Sequence, residues 1–215
     1  MKIISDERLL KVPIKDNGEK LVDIKKYCPK VIVRPGAYIK KEGEKYFFKA
    51  AFVREGVAKR ILVAQDLLPE GYKIILRCGY RPLSLQKKRY LWMYNKLKKK
   101  NSDWSKNKLA EETSKCVAPP DIVPPHSTGG AIDISILGAN ERQLDMGTRL
   151  GEFNEKTYTK SKMISSVATN NRSLLIKAMA KAGFVNYPTE WWHWSYGDRY
   201  WAAVKKKRYS IYNGL

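Results

Sequence analysis

Two short segments of the chain carry the residue types of a metal site. The sequence contains two histidines, and each lies near a carboxylate: His126 opens a run that ends at Asp133, and His193 closes Glu190-Trp-Trp-His193. A catalytic zinc typically takes three protein ligands and leaves one position for water. Two imidazoles and one carboxylate supply that number, so the pattern indicates one Zn²⁺ per chain, held by His126, Asp133 and His193.

Glu190 adds a second component of hydrolytic chemistry. It lies three residues before His193, so its carboxylate can approach a water polarised by the same metal. A carboxylate placed there can accept a proton from the water and pass it to a leaving amine. A histidine or an aspartate taken alone is more often structural, as a hydrogen-bonded core residue or a cap. The spacing by itself leaves the catalytic and structural interpretations evenly balanced.

The elements that must position these residues are predicted from hydrophobic periodicity. Isoleucines alternate with Ala131, Asp133 and Ser135, which predicts a strand with one face in the core and Asp133 on the other. Gly129 and Gly130 allow a turn between His126 and this strand. The pattern further predicts helices over 54–68, 83–99 and 172–182, the last ended by Gly183, strands over 73–78, 131–137 and 190–196, and mostly loop over 138–170.

Helices and strands are interspersed without a repeated βαβ unit, which predicts an α+β fold with a central, mostly antiparallel sheet flanked by helices. A chain of 215 residues fits a single domain. Residues 46–215 are predicted to form the catalytic domain, and residues 1–45 an N-terminal arm that packs on it or joins it. Residues 46–52 fit a strand or the entry to a helix, and residues 101–125 are polar and then rich in proline.

The composition bears on partners. Formal net charge is +21, with dense basic runs at 96–100 and 205–208. Such runs fit either solvated helix ends and tails or an anionic partner such as nucleic acid or a cell-wall polymer. A lysine run at a helix C-terminus is favourable without any partner, so the solvated interpretation is preferred and no nucleic-acid partner is expected. The oligomeric state is left open.

The cysteines and the hydropathy indicate the cellular compartment in which the protein is expected. Cys28, Cys78 and Cys116 show no C-x-x-C spacing, and an odd number cannot pair completely, which favours buried thiols over disulfides. No stretch approaches the roughly 18 consecutive apolar residues of a membrane span. Charged residues follow the N-terminus too early for a signal-peptide core. A cytoplasmic protein is therefore expected, or a periplasmic one if an export signal has been removed.

Four motifs together resemble the VanX-type D-alanyl-D-alanine dipeptidases, within the larger DD-peptidase and Hedgehog-like zinc fold. The resemblance covers roughly residues 50–204. In chain order the motifs are Gly79-Tyr-Arg-Pro82, His126-Ser-Thr-Gly-Gly-Ala-Ile-Asp133, Leu144-Asp-Met-Gly-Thr148 and Glu190-Trp-Trp-His193. The second and fourth are shared with related carboxypeptidases, and the third points to the dipeptidase branch. The implied fold carries its zinc site on the face of the sheet.

The resemblance also implies roles for individual residues. His126, Asp133 and His193 would be the zinc ligands and Glu190 the general base. Arg81 would polarise the scissile carbonyl and stabilise the oxyanion, and Asp145 would receive the free ammonium group of a substrate.

One departure concerns Pro124. The family often carries a serine two residues before its first zinc histidine, and proline offers neither a hydroxyl nor an N–H group at that position. Recognition of the substrate carboxylate is therefore expected to differ here.

These observations predict a zinc-dependent D,D-dipeptidase whose substrate is a small dipeptide, D-Ala-D-Ala or a relative of it. One alternative is a D,D- or L,D-carboxypeptidase of the same fold that acts on peptidoglycan stem peptides. A more distant alternative is a basic protein that binds an anionic polymer and retains a degenerate metal site. The tryptophans at 191, 192, 194 and 201 are predicted to pack in the core rather than to form a stacking platform.

Overall fold

The computed structural model describes residues 7–215, and the side chains of Glu7 and Lys40 are not part of that description. Residues 1–6 of the predicted arm lie outside the described residues. The strands are β1 (Leu21–Asp23), β2 (Ile32–Val33), β3 (Phe52–Arg54), β4 (Lys73–Cys78), β5 (Ala131–Leu137), β6 (Val185–Asn186) and β7 (His193–Ser195). The helices are α1 (Glu7–Leu10), α2 (Ile24–Tyr27), α3 (Ala37–Lys41), α4 (Glu44–Lys49), α5 (Glu55–Asp66), α6 (Leu83–Lys100), α7 (Lys106–Ser114), α8 (Ser166–Lys181) and α9 (Arg199–Val204).

A five-stranded sheet forms the centre of the fold, in the order β2-β4-β5-β7-β6. The β2–β4 pair is parallel, whereas the β4–β5, β5–β7 and β6–β7 pairs are antiparallel. All residues of β5 are buried, which explains the run of isoleucines in its sequence. The α+β prediction with a mostly antiparallel sheet is confirmed.

One face of the sheet packs on α5 and α8. Ile132 and Ile134 of β5 share a core cluster with Ile61 of α5 and Met179 of α8. Because side chains alternate along a strand, Asp133 points away from this core, toward the other face of the sheet. Gly183 has φ +94° just after α8, the left-handed conformation of a helix C-terminal glycine.

The structure differs from the predicted elements at several boundaries. Helix α7 lies in the stretch described only as polar, and Ser105 begins it by accepting a hydrogen bond from the Lys108 amide. Helix α8 begins at Ser166 rather than at residue 172, because Ser165 caps it through the Ala168 amide. The last predicted strand begins only at His193, since residues 190–192 form a turn. Residues 46–52 prove to be the end of α4 followed by the start of β3.

The N-terminal segment contributes to both sheets. Strand β1 pairs with β3, and β2 pairs with β4 at the edge of the main sheet. Ile24, Cys28 and Val31 belong to the same core cluster as the central strands. The boundary at residue 46 between an arm and a catalytic domain stays a prediction.

The tryptophans and cysteines can be compared with the predictions made for them. Trp191, Trp192, Trp194 and Trp201 are all buried, which confirms that they pack in the core. The three cysteines are free thiols. Within the described residues no helix is both long and apolar enough to cross a bilayer.

Arg54 connects the N-terminal segment to the turn that contains His126. Its side chain is 3% exposed and pairs with Asp16 at 3.0 Å. It also donates from Nε to the Thr128 carbonyl at 2.8 Å and from a terminal nitrogen to the Asn213 carbonyl at 3.1 Å. The chain directly after His126 is therefore fixed through one guanidinium.

We expect Arg54→Met to lower the free energy of unfolding by about 3 kcal/mol. Loss of one partner of a buried ion pair costs about 3–5 kcal/mol, and the lower end applies because the side chain of Asp16 is 30% exposed. Urea denaturation measures the change. Arg142→Met, which removes the same charge from an exposed position, should leave the midpoint within about 0.5 kcal/mol of the wild type. Equal effects of the two variants would contradict the role of Arg54.

Candidate active site

His126 lies in a 3-10 turn, Pro125–Thr128, that leads directly into β5. The turn ends at Gly129, whose φ of +73° is left-handed, and a Cβ atom there would approach Leu21 Cδ2 to 2.5 Å. Glycine is therefore needed both for the conformation and for the close contact with β1. The predicted turn between His126 and Asp133 has this physical basis.

Pairing between β5 and β7 brings the other two predicted ligands together, because Asp133 lies directly opposite His193 in the register. The His193 Nδ1 atom lies 3.1 Å from Asp133 Oδ1, and the His126 Nε2 atom lies 3.2 Å from the same oxygen. All three side chains are buried. Two imidazole nitrogens and one carboxylate oxygen thus converge on a single point.

This donor set fits zinc. The His126 Nδ1 atom lies 3.0 Å from the Gly79 carbonyl, so a proton on Nδ1 leaves the Nε2 lone pair directed at the cluster. Such a hydrogen bond from the far nitrogen is the usual way in which a ligating histidine is oriented. Two nitrogens and one oxygen, with room for a further ligand, match a catalytic zinc site.

Cys78 is a second candidate donor that the sequence did not reveal. It lies opposite Asp133 in the β4–β5 register, and its Sγ atom falls within 4.8 Å of donor atoms of His126 and Asp133. Burial acts to raise the pKa of this thiol, but the charges of Arg81 and His126 lower it to about 7. The alternation of β4 could have indicated its direction, although a bulge next to Cys78 interrupts that alternation.

Glu190 lies in the turn that precedes β7, beside the cluster. Its carboxylate can reach within 4.8 Å of donor atoms of Asp133 and His193. Among the described residues no hydrogen bond or ion pair to this carboxylate occurs, so it is free to accept a proton from a bound molecule. Burial, together with the nearby Asp133 carboxylate, raises the pKa of Glu190 to about 8.

The electrostatics of the cluster favour an ionised Asp133. Burial opposes its charge, but His126 and His193 hold the pKa of Asp133 well below its usual range. In turn, burial and Arg81 act to lower the pKa of His126, and Asp133 outweighs them and raises it to about 9. A cation that replaces the His126 proton would therefore find a carboxylate that is already charged.

Arg81 lies at the wall of the same site, directly after β4. Its guanidinium is 3.6 Å from Asp133 Oδ2. One terminal nitrogen donates to Gln86 Oε1 at 2.9 Å, and the other donates to the Tyr38 hydroxyl at 2.7 Å. Sequence reasoning missed both supporting residues. Gln86 lies in the first turns of α6, close enough to Arg81 to be suspected, whereas Tyr38 lies 43 residues away and carries no local signal.

The structure does not bring Asp145 to the metal-ligand cluster. This residue is exposed in the loop after β5, and its Oδ1 atom accepts a hydrogen bond from the Gly147 amide at 2.7 Å. It lines an outer cleft of about 1330 Å³ rather than the inner cavity of about 40 Å³ that holds His126, Asp133, Glu190 and His193. The role of Asp145 as a receptor for an ammonium group stays a prediction.

The inner cavity and the outer cleft adjoin. Both are lined by Tyr38, Arg89, Leu150, Gly151 and Phe153. The inner cavity, at about 40 Å³, has room for only a few water molecules, so a larger ligand of this site would have to extend toward the outer cleft.

The sheet, the His–Asp–His cluster and the unpaired glutamate beside it define the class: an α+β metallopeptidase. The family model described as D-ala-D-ala dipeptidase, Peptidase_M15, matches residues 38–212. The chain therefore belongs to this family of zinc metallopeptidases.

Relatives and solved structures agree with this assignment. A D-alanyl-D-alanine dipeptidase of Synechocystis sp. is 28% identical over 93% of this chain and 91% of its own length. A D-alanyl-D-alanine dipeptidase of Enterococcus faecium is 30% identical over 66% of this chain and 71% of its own. The structure of the LD-carboxypeptidase LdcB superposes with a TM-score of 0.51 at 20% identity, over 88% of this chain and 73% of that one, and shows the shared fold.

Proposed function

We propose that the protein is a zinc-dependent D,D-dipeptidase that hydrolyses D-Ala-D-Ala to two molecules of D-alanine. The observation that carries this proposal is the convergence of His126 Nε2 and His193 Nδ1 on Asp133 Oδ1, with the Glu190 carboxylate unpaired in the same cavity. The names of the relatives supply the substrate class.

Each residue has a defined part in the proposed reaction. Zinc, held by His126, Asp133 and His193, would acidify a water molecule and polarise the scissile carbonyl. Glu190 accepts the proton of the attacking water and delivers it to the leaving amine. Arg81 directs its fixed positive charge at the oxygen on which negative charge develops.

The contacts of Arg81 suit it to this part. Burial opposes the charged form, but Tyr38, Cys78 and Asp133 raise the pKa of Arg81 above its ordinary value, so it remains a cation. Tyr38 and Gln86 hold the guanidinium in place. A donor that is already oriented needs no reorganisation when the transition state forms.

A second candidate function is a D,D- or L,D-carboxypeptidase activity on peptidoglycan stem peptides. The size of the outer cleft favours it. At about 1330 Å³ the cleft exceeds the 300–1,000 Å³ typical of small-molecule pockets. A longer peptide would extend from the inner cavity across this cleft, whereas a dipeptide would fill only its inner end.

Acetylation of the substrate amine distinguishes the two functions. If Asp145 receives the ammonium group, the wild type should hydrolyse D-Ala-D-Ala faster than N-acetyl-D-Ala-D-Ala. Asp145→Asn should raise KM for the free dipeptide by about fivefold, since an exposed ion pair contributes up to about 1 kcal/mol. Steady-state kinetics measure both. The exposed Asp103, outside both cavities, gives the control D103N, which should leave KM unchanged.

Preference for the acetylated substrate would favour the carboxypeptidase. An unchanged KM in Asp145→Asn, with the preference for the free amine intact, would assign ammonium recognition to another acidic group. Glu152 and Glu155 line the same cleft and are the next residues to replace.

A further inference from the structure

Arg89 of α6 occupies the junction between the inner cavity and the outer cleft, and it lines both. Its guanidinium stacks on the Tyr38 ring, with 3.5 Å between Cζ and the ring centroid. Its charge acts on Asp133 and Glu190, which places it within electrostatic reach of the metal-ligand cluster. A substrate that extends from the outer cleft into the inner cavity would lie close to this side chain.

The guanidinium of Arg89 has no anionic partner among the described residues. No hydrogen bond or ion pair reaches it, and its Nε atom is buried without an acceptor. The side chain is half-buried, so partial loss of water is costly for its charge, and Arg81 adds repulsion of like sign. The Tyr38 ring and the more distant Asp133 offset only part of this cost without a direct ion pair, which is expected of a group that pairs with a ligand.

The other permanent cations that line the inner cavity are already paired. Arg81 lies beside Asp133 at 3.6 Å, and Lys115 pairs with Glu111 and Glu112 at 3.0 and 2.8 Å. Arg89 is thus the unpaired one in the described part of the cavity wall. Its planar group, with Cζ 3.5 Å from the centroid of the Tyr38 ring, can present two N–H donors to a carboxylate in the bidentate arrangement.

Pro124 and Pro125 contribute to the same cavity wall. Neither residue has an N–H group or a hydroxyl, so this part of the wall offers no donor to an anionic ligand. A donor to an anionic ligand would therefore have to come from another part of the wall.

We infer that Arg89 receives the C-terminal carboxylate of the substrate and so determines the requirement for a free carboxyl end. This inference rests on the proposed peptidase function and adds to it a residue that recognises the substrate. The ion pair also sets the register of the substrate. With its carboxylate held at Arg89, the peptide bond one residue away lies toward Glu190 and the metal ligands.

A structural role for Arg89 is the competing explanation, because Arg89 could act through Tyr38 on the orientation of Arg81. The two explanations predict different effects of an Arg89 substitution on different substrates. Loss of a carboxylate receptor affects only substrates that carry the carboxylate. Displacement of Arg81 slows hydrolysis of every substrate, whatever its C-terminal group.

The test compares D-Ala-D-Ala with D-Ala-D-alaninamide, which lacks the negative charge, in the zinc-loaded wild type and in Arg89→Met. We expect kcat/KM of Arg89→Met to fall by about 10–100-fold for the acid and to change less than about threefold for the amide. Arg89→Lys should recover part of the activity on the acid. Lys87→Met is the matched control, since Lys87 carries the same charge at an exposed position of the same helix and lies outside both cavities.

Equal losses on the acid and the amide would overturn the inference and support the structural role. Wild-type turnover that does not distinguish acid from amide would overturn it as well, with the proposed function intact. If the wild type hydrolyses neither compound, the proposed function fails. In that case, calorimetric titration of the zinc-loaded protein with both compounds tests whether Arg89 binds the carboxylate. Tighter binding of the acid than of the amide, with the difference lost in Arg89→Met, supports that role. Equal binding of the two compounds by the wild type contradicts it.

Discussion

Replacement of Glu190 by glutamine is expected to lower kcat by about 10²–10⁴-fold, the range contributed by a positioned general acid or base. Glutamine has nearly the shape of glutamate but cannot accept a proton. Since no hydrogen bond among the described residues holds the Glu190 carboxylate, the substitution leaves no partner unsatisfied and the fold should be unchanged. Steady-state kinetics with D-Ala-D-Ala measure kcat, and metal analysis of the same sample should show unaltered zinc content.

The protonation of Glu190 supports this expectation. In the metal-free protein, burial and Asp133 raise its pKa to about 8, while His126 and Arg81 act in the opposite direction. A bound dication would add positive charge beside the carboxylate and lower its pKa from that raised value. Metal binding would therefore favour the ionised form of Glu190, which is the form that can accept a proton.

Glu70→Gln is the control for Glu190→Gln. Glu70 is an exposed glutamate that lies outside both cavities. Its replacement should leave kcat within about twofold of the wild type. Full zinc occupancy of Glu190→Gln together with near-wild-type kcat would show that another group moves the proton, and the proposed mechanism would have to be abandoned.

The residues proposed as metal ligands could be selected from the sequence because each lies in or next to a predicted strand. Asp133 is assigned to the polar face of β5 by simple alternation, and His193 lies at the start of the neighbouring strand. The direct pairing of these two residues depends on the tertiary structure, and neither segment of sequence indicates it. Scarcity of histidine and the resemblance to a family supplied what the local pattern lacked.

The support around the ligands could not be predicted. Tyr38 comes from the N-terminal segment, and Gly79 acts through its carbonyl group, for which side-chain type gives no signal. Asp145 is a different case: its motif is informative about the family, but sequence spacing does not determine where a residue of an exposed loop lies. Ser105 is a residue type that often begins a helix, as it does for α7. The residues after it are mostly polar, so hydrophobic periodicity gave no support for a helix there.

Removal of the metal is expected to abolish turnover and to lower the melting temperature by about 10 °C. A ligand present at 1,000 times its dissociation constant stabilises the native state by about 4 kcal/mol, and in a domain of this size each kcal/mol corresponds to about 2–4 °C. The closely placed donors His126, Asp133 and His193 carry this effect. Thermal denaturation before and after chelation, and again after addition of Zn²⁺, measures it together with recovery of activity.

Single substitutions decide which donors hold the ion. His126→Ala and His193→Ala should each eliminate the zinc-dependent shift in melting temperature, because a site with three protein ligands loses one of them. Cys116→Ser is the control: this thiol lines the inner cavity but belongs to neither group of converging donors. Cys78→Ser should also retain the shift. Loss of zinc in Cys78→Ser but not in His193→Ala would assign the ion to Cys78, His126 and Asp133 instead, and would remove the metal from the side of the cluster where Glu190 lies.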